Sequence, residues 1–454
     1  MNFPKLIIAS VCATSLSAGA VLAGSTDDAA KLGTSLTPVG ANPNANSDGS
    51  IPAWNPNGPK VPAGFDPSTG VYPDPYKGEQ KIFSIDASNM DQHADNLTEG
   101  TKAMLRQFGD DFRVDVYPSH RDFVPADWIV DNTKHNAEKT TITEDGLKVE
   151  GSLPGFPFPV PENGIEAIWN HLSKPLSSHE IVYNSYYVTS SGEPILSTNA
   201  NAYVWAESFE EGNRHKPAGD TSRMKLRIDY NEPARRAGEK LLMHEPGADY
   251  SQSKGRKAWQ YLTGQRRVRL APAVAFDTPN PGVAGTSTYD DASVYNGSPE
   301  RYNWTLVGKK EMYIPYNNYD FVFSTPVEEA LGKKSLDPDH IRWEKHRVWV
   351  VEADLKDGKR HIYKKRRFYL DEDTWAAVAS DAYDSRGDLW RVQLMFPTIL
   401  WDKGTAYTLA YSGHDLLQGN YNVNGKPIPG GLRFTNSKKP RFYSPKGLTR
   451  GGIR

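Results

Sequence analysis

The chain has 454 residues, enough for one large domain or two medium ones. Its 53 basic and 55 acidic residues leave a formal net charge of −2, so no sequence-wide charge attracts nucleic acid or an anionic membrane. A mean hydropathy of −0.62, with 33 prolines and 38 glycines, favours short strands joined by turns over long helices.

The first 23 residues have the pattern of a secretory leader. Lys5 precedes an apolar stretch from Leu6 to Leu22, and small residues end at Ala23. Cys12, the one cysteine of the chain, lies inside this leader, so the mature chain would have no thiol, disulfide or Cys-ligated metal. No later segment has eighteen uncharged apolar residues, which argues against a transmembrane span. We therefore expect a periplasmic protein.

Residues 24–80 are dominated by Gly, Pro, Asn and Ser and have neither helical nor strand periodicity. The stretch nevertheless contains Trp54, Phe65, Tyr72 and Tyr76, which are too many aromatic residues for a free tail. We expect an irregular N-terminal arm that packs on the folded body.

Two helices are predicted. Apolar residues recur at three- and four-residue steps over 88–108, with Ser88 as the N-cap and Gly109 as the stop. A second helix opens at Asn163, whose side chain can form a capping box with Glu166, and it ends before Pro175.

A proline-rich loop precedes the second helix. Phe156, Phe158 and Val160 alternate with prolines, which excludes a central strand and leaves an extended loop with an apolar row. Such a row is typical of a loop that plugs one end of a core. The alternative is a lid over a pocket.

Hairpins dominate the rest of the chain. Residues 181–189 and 195–205 form one hairpin candidate, and further strand-like runs occupy 224–230, 266–275 and 302–307. Together with the region that follows they give nine or more strands, and no fixed period indicates a propeller or solenoid.

The stretch from Arg342 to Phe396 is predicted to be an antiparallel meander. Asp357-Gly358 supplies the positive φ angles of a tight turn between strands near 346–355 and 360–370. Similar turn clusters follow at 371–374 and 384–388. The predicted fold is mainly β (α+β): a large curved antiparallel sheet forming an incomplete barrel, covered by a few helices and long loops. It would occupy a single domain, residues 81–412, followed by an irregular tail, residues 413–454.

The usual catalytic signatures are absent: no GxSxG elbow, P-loop, GxGxxG or HExxH motif occurs. His340 and His346 would lie about 20 Å apart along an extended strand and could not share one metal ion. Asp371, Glu372 and Asp373 have the pattern of solvated turn formers, although a paired-acid glycosidase site is an alternative. The basic run 364–367 is predicted to be an exposed strand edge or face. We expect no catalytic residues, no cofactor and no metal.

Aromatic residues are unusually frequent on the predicted strands. On the last strand of the meander the side chains of Trp390, Val392, Leu394 and Phe396 share one face. The interior behind such faces is either a filled core or an apolar cavity. The candidate cavity and lid residues are Phe156, Phe158, Val160, Trp169, Trp349, Val351, Trp390, Leu394 and Phe396.

Four motifs resemble a proteobacterial family recorded as a domain of unknown function and labelled outer-membrane lipoprotein-sorting protein. They are RWEKHRVWVVEADL, RYNWTLVGKKEMYIPYN, NGIEAIWNH and VYPSHR, and the similarity spans about Leu32 to about Phe396. The resemblance implies a fold similar to the LolA/LolB lipoprotein carriers. It also implies a setting beside exporters of the resistance-nodulation-division type and outer-membrane partners, but no catalytic residues.

Three functions follow as hypotheses. The first is a periplasmic carrier, peripheral to the outer membrane, for a hydrophobic small molecule or a lipidated protein. The second is an envelope hydrolase acting on glycan or lipid, which requires that some of His120, Glu166, His171, Asp371 and Asp373 converge in one cleft. The third is an accessory exporter subunit with a filled core.

Overall fold

The computed structural model describes residues 26–251, 254–271 and 276–449. The predicted leader, residues 1–23, and residues 272–275 of one predicted strand lie outside these ranges. Within them, sixteen strands form one large sheet, and two short two-stranded ribbons stand beside it. The pairings of the large sheet are antiparallel except for a parallel contact at Val116 and Trp343. The order of the sheet ends at two edge strands, so it does not close into a barrel.

The strands are, in chain order, β1 (Phe83–Ile85), β2 (Val114–Val116), β3 (Thr141–Ile142), β4 (Val149–Glu150), β5 (His179–Val188), β6 (Pro194–Trp205), β7 (Ser222–Glu232), β8 (Lys240–Pro246), β9 (Lys257–Leu262), β10 (Arg267–Leu270), β11 (Tyr302–Pro315), β12 (Trp343–Leu355), β13 (Lys365–Asp371), β14 (Ala377–Tyr383), β15 (Leu389–Met395), β16 (Thr398–Leu400), β17 (Thr405–Tyr407), β18 (Tyr411–Asp415), β19 (Asn420–Asn424) and β20 (Pro427–Arg433). The α-helices are α1 (Thr26–Lys31), α2 (Glu99–Phe108), α3 (Asp127–Lys139), α4 (Gly164–Ser173) and α5 (Pro445–Leu448).

The predicted meander is confirmed as β12 to β15, with each strand antiparallel to the next. Its first turn is longer than predicted, because β13 begins at Lys365 and not near residue 360. Gly358 does have a positive φ of 75°. The loop continues after it, however, because the buried side chain of Tyr363 turns inward and donates a hydrogen bond to Asp291.

The C-terminal region differs from the irregular tail predicted for residues 413–454. Strands β18 and β19 pair with each other and join β15 of the meander to β5 of the next part of the sheet. Strand β20 pairs with β5 as well. The strands are short and rich in Asn and Gly, which is why their sequence resembles loop.

The helices are partly as predicted. Asn163 caps α4, and its side chain accepts the Glu166 N–H as expected. The helix predicted over 88–108 is instead a 3₁₀ stretch, Met90–Asn96, followed by α2. Thr98, not Ser88, caps α2 by accepting from the N–H of Thr101. Helix α3 was not predicted, because its buried face contains Asn132, Thr133 and Asn136 rather than a clean apolar stripe.

The meander is covered on both faces. Alternate residues of β12 point into two different cores: Val348 and Val350 join one hydrophobic cluster, and Val351 and Ala353 join another. The first cluster includes α2, and the second lies beneath α4. Each face of the meander is therefore filled by packed side chains rather than hollow.

The N-terminal arm lies against this body. The Trp375 indole N–H donates to the carbonyl of Val39 at 2.9 Å, and Tyr72 is fully buried. Gly40 has a φ of +91°, and a Cβ there would lie 1.9 Å from the carbonyl oxygen of Pro159. Only glycine fits where the arm crosses the proline-rich loop.

Candidate functional site

The second half of the large sheet, β5 to β8, has an inner face that is apolar. Side chains alternate across each strand, so on β6 Ala200, Ala202 and Val204 are buried while Asn201 and Tyr203 between them are partly exposed. The antiparallel register aligns these inner residues with those of the neighbouring strands. Two cross-strand rows result, one of His179, Val204, Leu226 and Met243 and one of Ile181, Ala202, Ile228 and Leu241.

Both rows line a cavity of about 150 Å³, here termed the main cavity. It exists because β6 contributes small residues at the middle of the inner face, where its neighbours contribute large ones. Ala202 stands between Ile181 and Ile228, and Ala200 stands between Tyr183 and Tyr230. Leu226 and Ile228 remain partly exposed at its rim. Polar side chains also line it, among them Ser185, Thr198, Asn280, Asn296 and Asn424.

The opposite wall is a segment without regular strands, residues 276–298, here termed the cover. Gly282, Tyr289, Ala292, Ser293 and Asn296 of the cover line the main cavity. The cover thus forms part of the cavity wall, together with Leu409, Tyr411, Asn424 and Gly425.

A buried ion-pair cluster anchors the cover. Arg366 of β13 donates to Asp290 at 3.0 Å, to Asp291 at 2.8 Å and to the carbonyl of Val294 at 3.1 Å. All three charged side chains are buried. Burial opposes ionisation of Asp290, yet Arg366 and His361 hold the pKa of its carboxyl below the usual value. The prediction that residues 364–367 form an exposed edge or face was wrong for Arg366, because β13 lies inside the sheet between β12 and β14.

Weaker contacts hold the cover at other points. Ser197 of β6 donates to the carbonyl of Gly282 at 2.7 Å, and Asn422 of β19 donates to the Thr286 hydroxyl at 2.8 Å. Within the cover, Ser293 and Val294 have φ angles of 53° and 68°. A β-branched residue in the left-handed region is strained, and such strain persists only where the surroundings enforce it.

A smaller chamber of about 40 Å³ adjoins the main cavity, and His179, Met224 and Ser293 line both. Two cations, Lys174 and Arg223, also line it, and both are buried. We term it the basic chamber. His179 donates from Nδ1 to the carbonyl of Ser177 at 2.8 Å, and burial lowers its pKa to about 4, so the imidazole is neutral near pH 7.

The nine residues predicted from the sequence to form the cavity and lid do not line the main cavity. Phe156, Phe158, Trp169 and Val351 are buried in the cluster beneath α4. The side chain of Asn170 clamps the proline-rich loop by bonding both the N–H and the carbonyl of Phe158, at 2.9 and 2.6 Å. The loop therefore packs as a plug.

The other predicted residues have separate environments. Val160 lies beside Glu166 at a small crevice, and Leu394 and Phe396 are buried in the cluster around α2. Trp349 stacks on Trp375 with 6.2 Å between ring centroids. Trp390 donates its indole N–H to Asp415 at 2.9 Å.

The acidic turn Asp371–Asp373 is not solvated, contrary to the prediction. All three carboxylates are buried, and cations from distant parts of the chain converge on Glu372 and Asp373. Arg121 donates to both oxygens of Asp373, at 2.8 and 2.9 Å, and Lys309 lies 2.8 Å from Glu372. Sequence reasoning missed this cluster because its cations are remote in the chain.

Three of these residues could hold a cation. His346, Asp371 and Asp373 place one ligand atom each within 4.8 Å of one another. His346 Nδ1 and one oxygen of Asp371 have no hydrogen-bond partner in the described part of the chain, and burial together with Asp373 raises the pKa of Asp371 to about 6. Arg121 already donates to both oxygens of Asp373, however, so its guanidinium would repel an added cation.

The residues required by the hydrolase hypothesis have structural partners instead. His120 stacks on Tyr76 and bonds Glu79 at 2.8 Å. Glu166 accepts the N–H of Glu162 at the start of α4. His171 accepts the N–H of Ala377 and donates to the carbonyl of Tyr295. None of His120, Glu166, His171, Asp371 and Asp373 lines the main cavity.

Comparisons with known proteins find similarity over most of the chain. A family model described as "Protein of unknown function (DUF1329)" matches residues 84–449. A Pseudomonas aeruginosa protein named Uncharacterized protein PA3922 is 39% identical over 460 residues, covering 100% of both chains. The chain belongs to the DUF1329 family. The resemblance found in the sequence motifs is thereby confirmed.

Three solved structures align with part of this chain. One is a DUF1329 family protein from Desulfovibrio piger, which is 14% identical. The alignment covers 60% of this chain and 92% of that chain, with a TM-score of 0.40. A Vibrio parahaemolyticus domain whose description proposes outer-membrane lipoprotein sorting is 15% identical, with 63% and 98% covered and a TM-score of 0.43. The LolA superfamily protein NE2245 of Nitrosomonas europaea is 13% identical, with 60% and 91% covered and a TM-score of 0.34. No helix within the described ranges of this DUF1329 member has the length and apolarity to cross a bilayer.

Proposed function

We propose that this protein binds an apolar ligand in the main cavity and carries it through the periplasm. The observation that supports the proposal is the unfilled space of about 150 Å³ between the apolar face of β5 to β8 and the cover. Interiors of proteins are normally packed as tightly as organic crystals. An apolar space that the chain leaves open at the middle of a sheet is a feature of a binding site.

The volume of the main cavity limits how much of a ligand it can enclose. An apolar cavity of roughly 150 Å³ accepts a molecule of about the size of benzene. A ring or the end of an alkyl chain therefore fits as the structure stands. At about 0.8 kcal/mol per buried CH₂, burial of six methylenes contributes about 5 kcal/mol, from which the cost of association is subtracted.

A longer acyl chain requires more room. It would extend through the rim at Leu226 and Ile228 or displace the cover, whose strained residues Ser293 and Val294 mark where it could give way. A sixteen-carbon chain costs about 13 kcal/mol in water, so its passage across an aqueous compartment needs such a container. A lipid or the lipid anchor of a protein is the cargo we propose, with an exporter and an outer-membrane acceptor as partners.

The cavity distinguishes this proposal from an accessory exporter subunit, which predicts a filled core throughout. The first test is titration of the purified mature protein with octan-1-ol, measured by isothermal titration calorimetry. The second is mass spectrometry of an organic extract of protein isolated from its own envelope. We expect saturable binding at a ratio of one to one, and a co-purifying apolar molecule. Absence of both would refute the carrier proposal.

A further inference from the structure

The basic chamber contains a cation, Arg223, that forms no ion pair with any residue that the structure describes. Arg223 is 7% exposed, and among the described residues it forms no ion pair within 4.0 Å and no hydrogen bond. Its Nε is buried and unpartnered. Burying a charge without a partner costs several kcal/mol, so buried cations in proteins are almost always paired. An unpaired one beside a cavity is therefore an indication of a missing anion.

An irregularity in the backbone pairing of β7 and β8 places Arg223 in the wall of the basic chamber. The register of β7 and β8 shifts between Ser222 and Met224, which pair with Pro246 and Glu245. Arg223 is the additional residue of this irregularity, and both Arg223 and its neighbour Met224 line the basic chamber. In a regular strand, consecutive side chains point to opposite faces. Such irregularities redirect side chains and are common beside binding sites.

The charged groups around Arg223 do not neutralise it. The carboxylate that acts on Arg223 is that of Glu245, whose Oε1 lies 2.7 Å from Arg256 and accepts from Asn296 at 3.3 Å, while its buried Oε2 has no hydrogen-bond partner among the described residues. Tyr250, the other acidic group that acts on Arg223, is a buried phenol whose own pKa is raised by burial. Two guanidinium groups thus face one carboxylate.

Lys174 adds a second cation to the same chamber. It follows the last turn of α4 and donates to the carbonyl of His171 at 3.1 Å, which is an ordinary role for a lysine at a helix C-terminus. It too forms no ion pair in the described part of the chain, and burial together with Arg223 lowers its pKa. Lys174 is therefore explained in part by the helix, whereas Arg223 is not.

We propose that the ligand of the main cavity is an amphiphile whose anionic oxygen head binds Arg223 and Lys174 in the basic chamber while its alkyl tail lies along β5 to β8. The inference rests on the proposed function and specifies the ligand class. A carboxylate and a phosphate share the required chemistry, since both accept charge-assisted hydrogen bonds from a guanidinium.

The test compares three ligands with the same eight-carbon tail: octan-1-ol, octanoate and octyl phosphate, each titrated by calorimetry at pH 7.5. We expect at least one of the two anions to bind ten-fold or more tightly than the alcohol. Which anion binds more tightly distinguishes a fatty carboxylate from a phospholipid head. Arg223→Met should abolish the preference for the anions over the alcohol, whereas Arg223→Lys should retain part of it.

The control is Arg235→Met, which removes an exposed arginine after β7 and should change no affinity. Thermal unfolding of ligand-free protein separates a binding role from a structural one. Arg223→Met should not lower Tm, because it removes an uncompensated buried charge. Equal affinity for alcohol and both anions in the wild-type protein would overturn this inference but leave the carrier proposal intact. Failure of all three ligands to bind, together with the absence of a co-purifying apolar molecule, would overturn both.

Discussion

Ala202 faces Ile228 across the β6–β7 pair, and its methyl group is the smallest side chain in a row otherwise made of isoleucine and leucine. The main cavity owes its volume to this difference in size. A large side chain at position 202 would convert the ligand site into an ordinary core.

Ala202→Leu should therefore fill the main cavity. We expect octan-1-ol binding to weaken at least ten-fold and Tm to stay the same or rise, because the added methyl groups enter empty space. Calorimetry and thermal unfolding measure the two effects. The matched control is Asn201→Leu, one residue earlier, whose side chain lies on the other face and bonds Asn231. Equal loss of binding in both variants would contradict the assignment of the cavity.

The anchor of the cover supports a second prediction. Arg366→Met removes the guanidinium that pairs with the buried Asp290 and Asp291, and breaking such a pair costs about 3–5 kcal/mol. We expect this loss in the free energy of unfolding measured with urea. Hydrogen exchange should also accelerate across residues 276–298 before the rest of the chain opens.

Arg367→Met is the control for the anchor. Arg367 follows Arg366 on β13, is half-buried and pairs with Glu352 on the outer side of the sheet. Partly exposed pairs contribute about 1 kcal/mol or less. If both variants lose the same stability and the exchange of the cover is unchanged, the cover is not anchored through Arg366.

The sequence predicted best those features that depend on neighbours in the chain. The Asn163 cap, the hairpin of β5 and β6 and the meander all follow from turn chemistry and alternation within about twenty residues. The predictions for charged residues were wrong because their contacts are remote in the chain. Arg366 appears as part of a basic run, and only its contact with Asp290, remote in sequence, makes it a buried residue.

The candidate site could not be located from the sequence for a related reason. The prediction sought large apolar residues, whereas the cavity is lined at this point of β6 by a small one, Ala202, with Ala200 two residues earlier. Two alanines in a strand carry little signal until the register shows that Ile181, Ile228 and two tyrosines flank them. Arg223 likewise is one more basic residue of a strand until the irregular register places it in the chamber.

The proline-rich loop permits a direct test of plug against lid. Asn170→Leu removes the two hydrogen bonds that hold Phe158 and leaves a buried N–H and a buried carbonyl unpaired. Each unsatisfied group costs about 1–3 kcal/mol, so we expect a clear loss of stability in urea. Octan-1-ol affinity, measured well below the unfolding transition, should not change, because the loop does not line the main cavity. A changed affinity would favour the lid.

Asp381 supports a prediction of pH dependence. It accepts hydrogen bonds from the Tyr369 hydroxyl at 2.8 Å and from the N–H of Gly100 at 3.0 Å, and burial raises its pKa to about 6. Arg367 opposes this effect and Glu99 reinforces it. In the unfolded chain the carboxyl ionises near pH 4. Between pH 4 and 6 the folded state therefore binds more protons than the unfolded state, and stability from this group falls as the pH rises.

Asp381→Asn removes the ionisation and keeps the shape, since an amide can accept from Gly100 and donate to Tyr369. We expect the variant and the wild-type protein to have the same free energy of unfolding at pH 4. Between pH 4 and 6 the variant should become more stable than the wild-type protein by about 1.4 kcal/mol per pH unit. Above pH 6 the gain should level off at about 3 kcal/mol. Urea unfolding at pH 4, 5, 6 and 7.5 measures the curve, and Asp388→Asn, at an exposed turn, should show no such trend. A gain that is independent of pH would mean that Asp381 is ionised in the folded protein throughout this range.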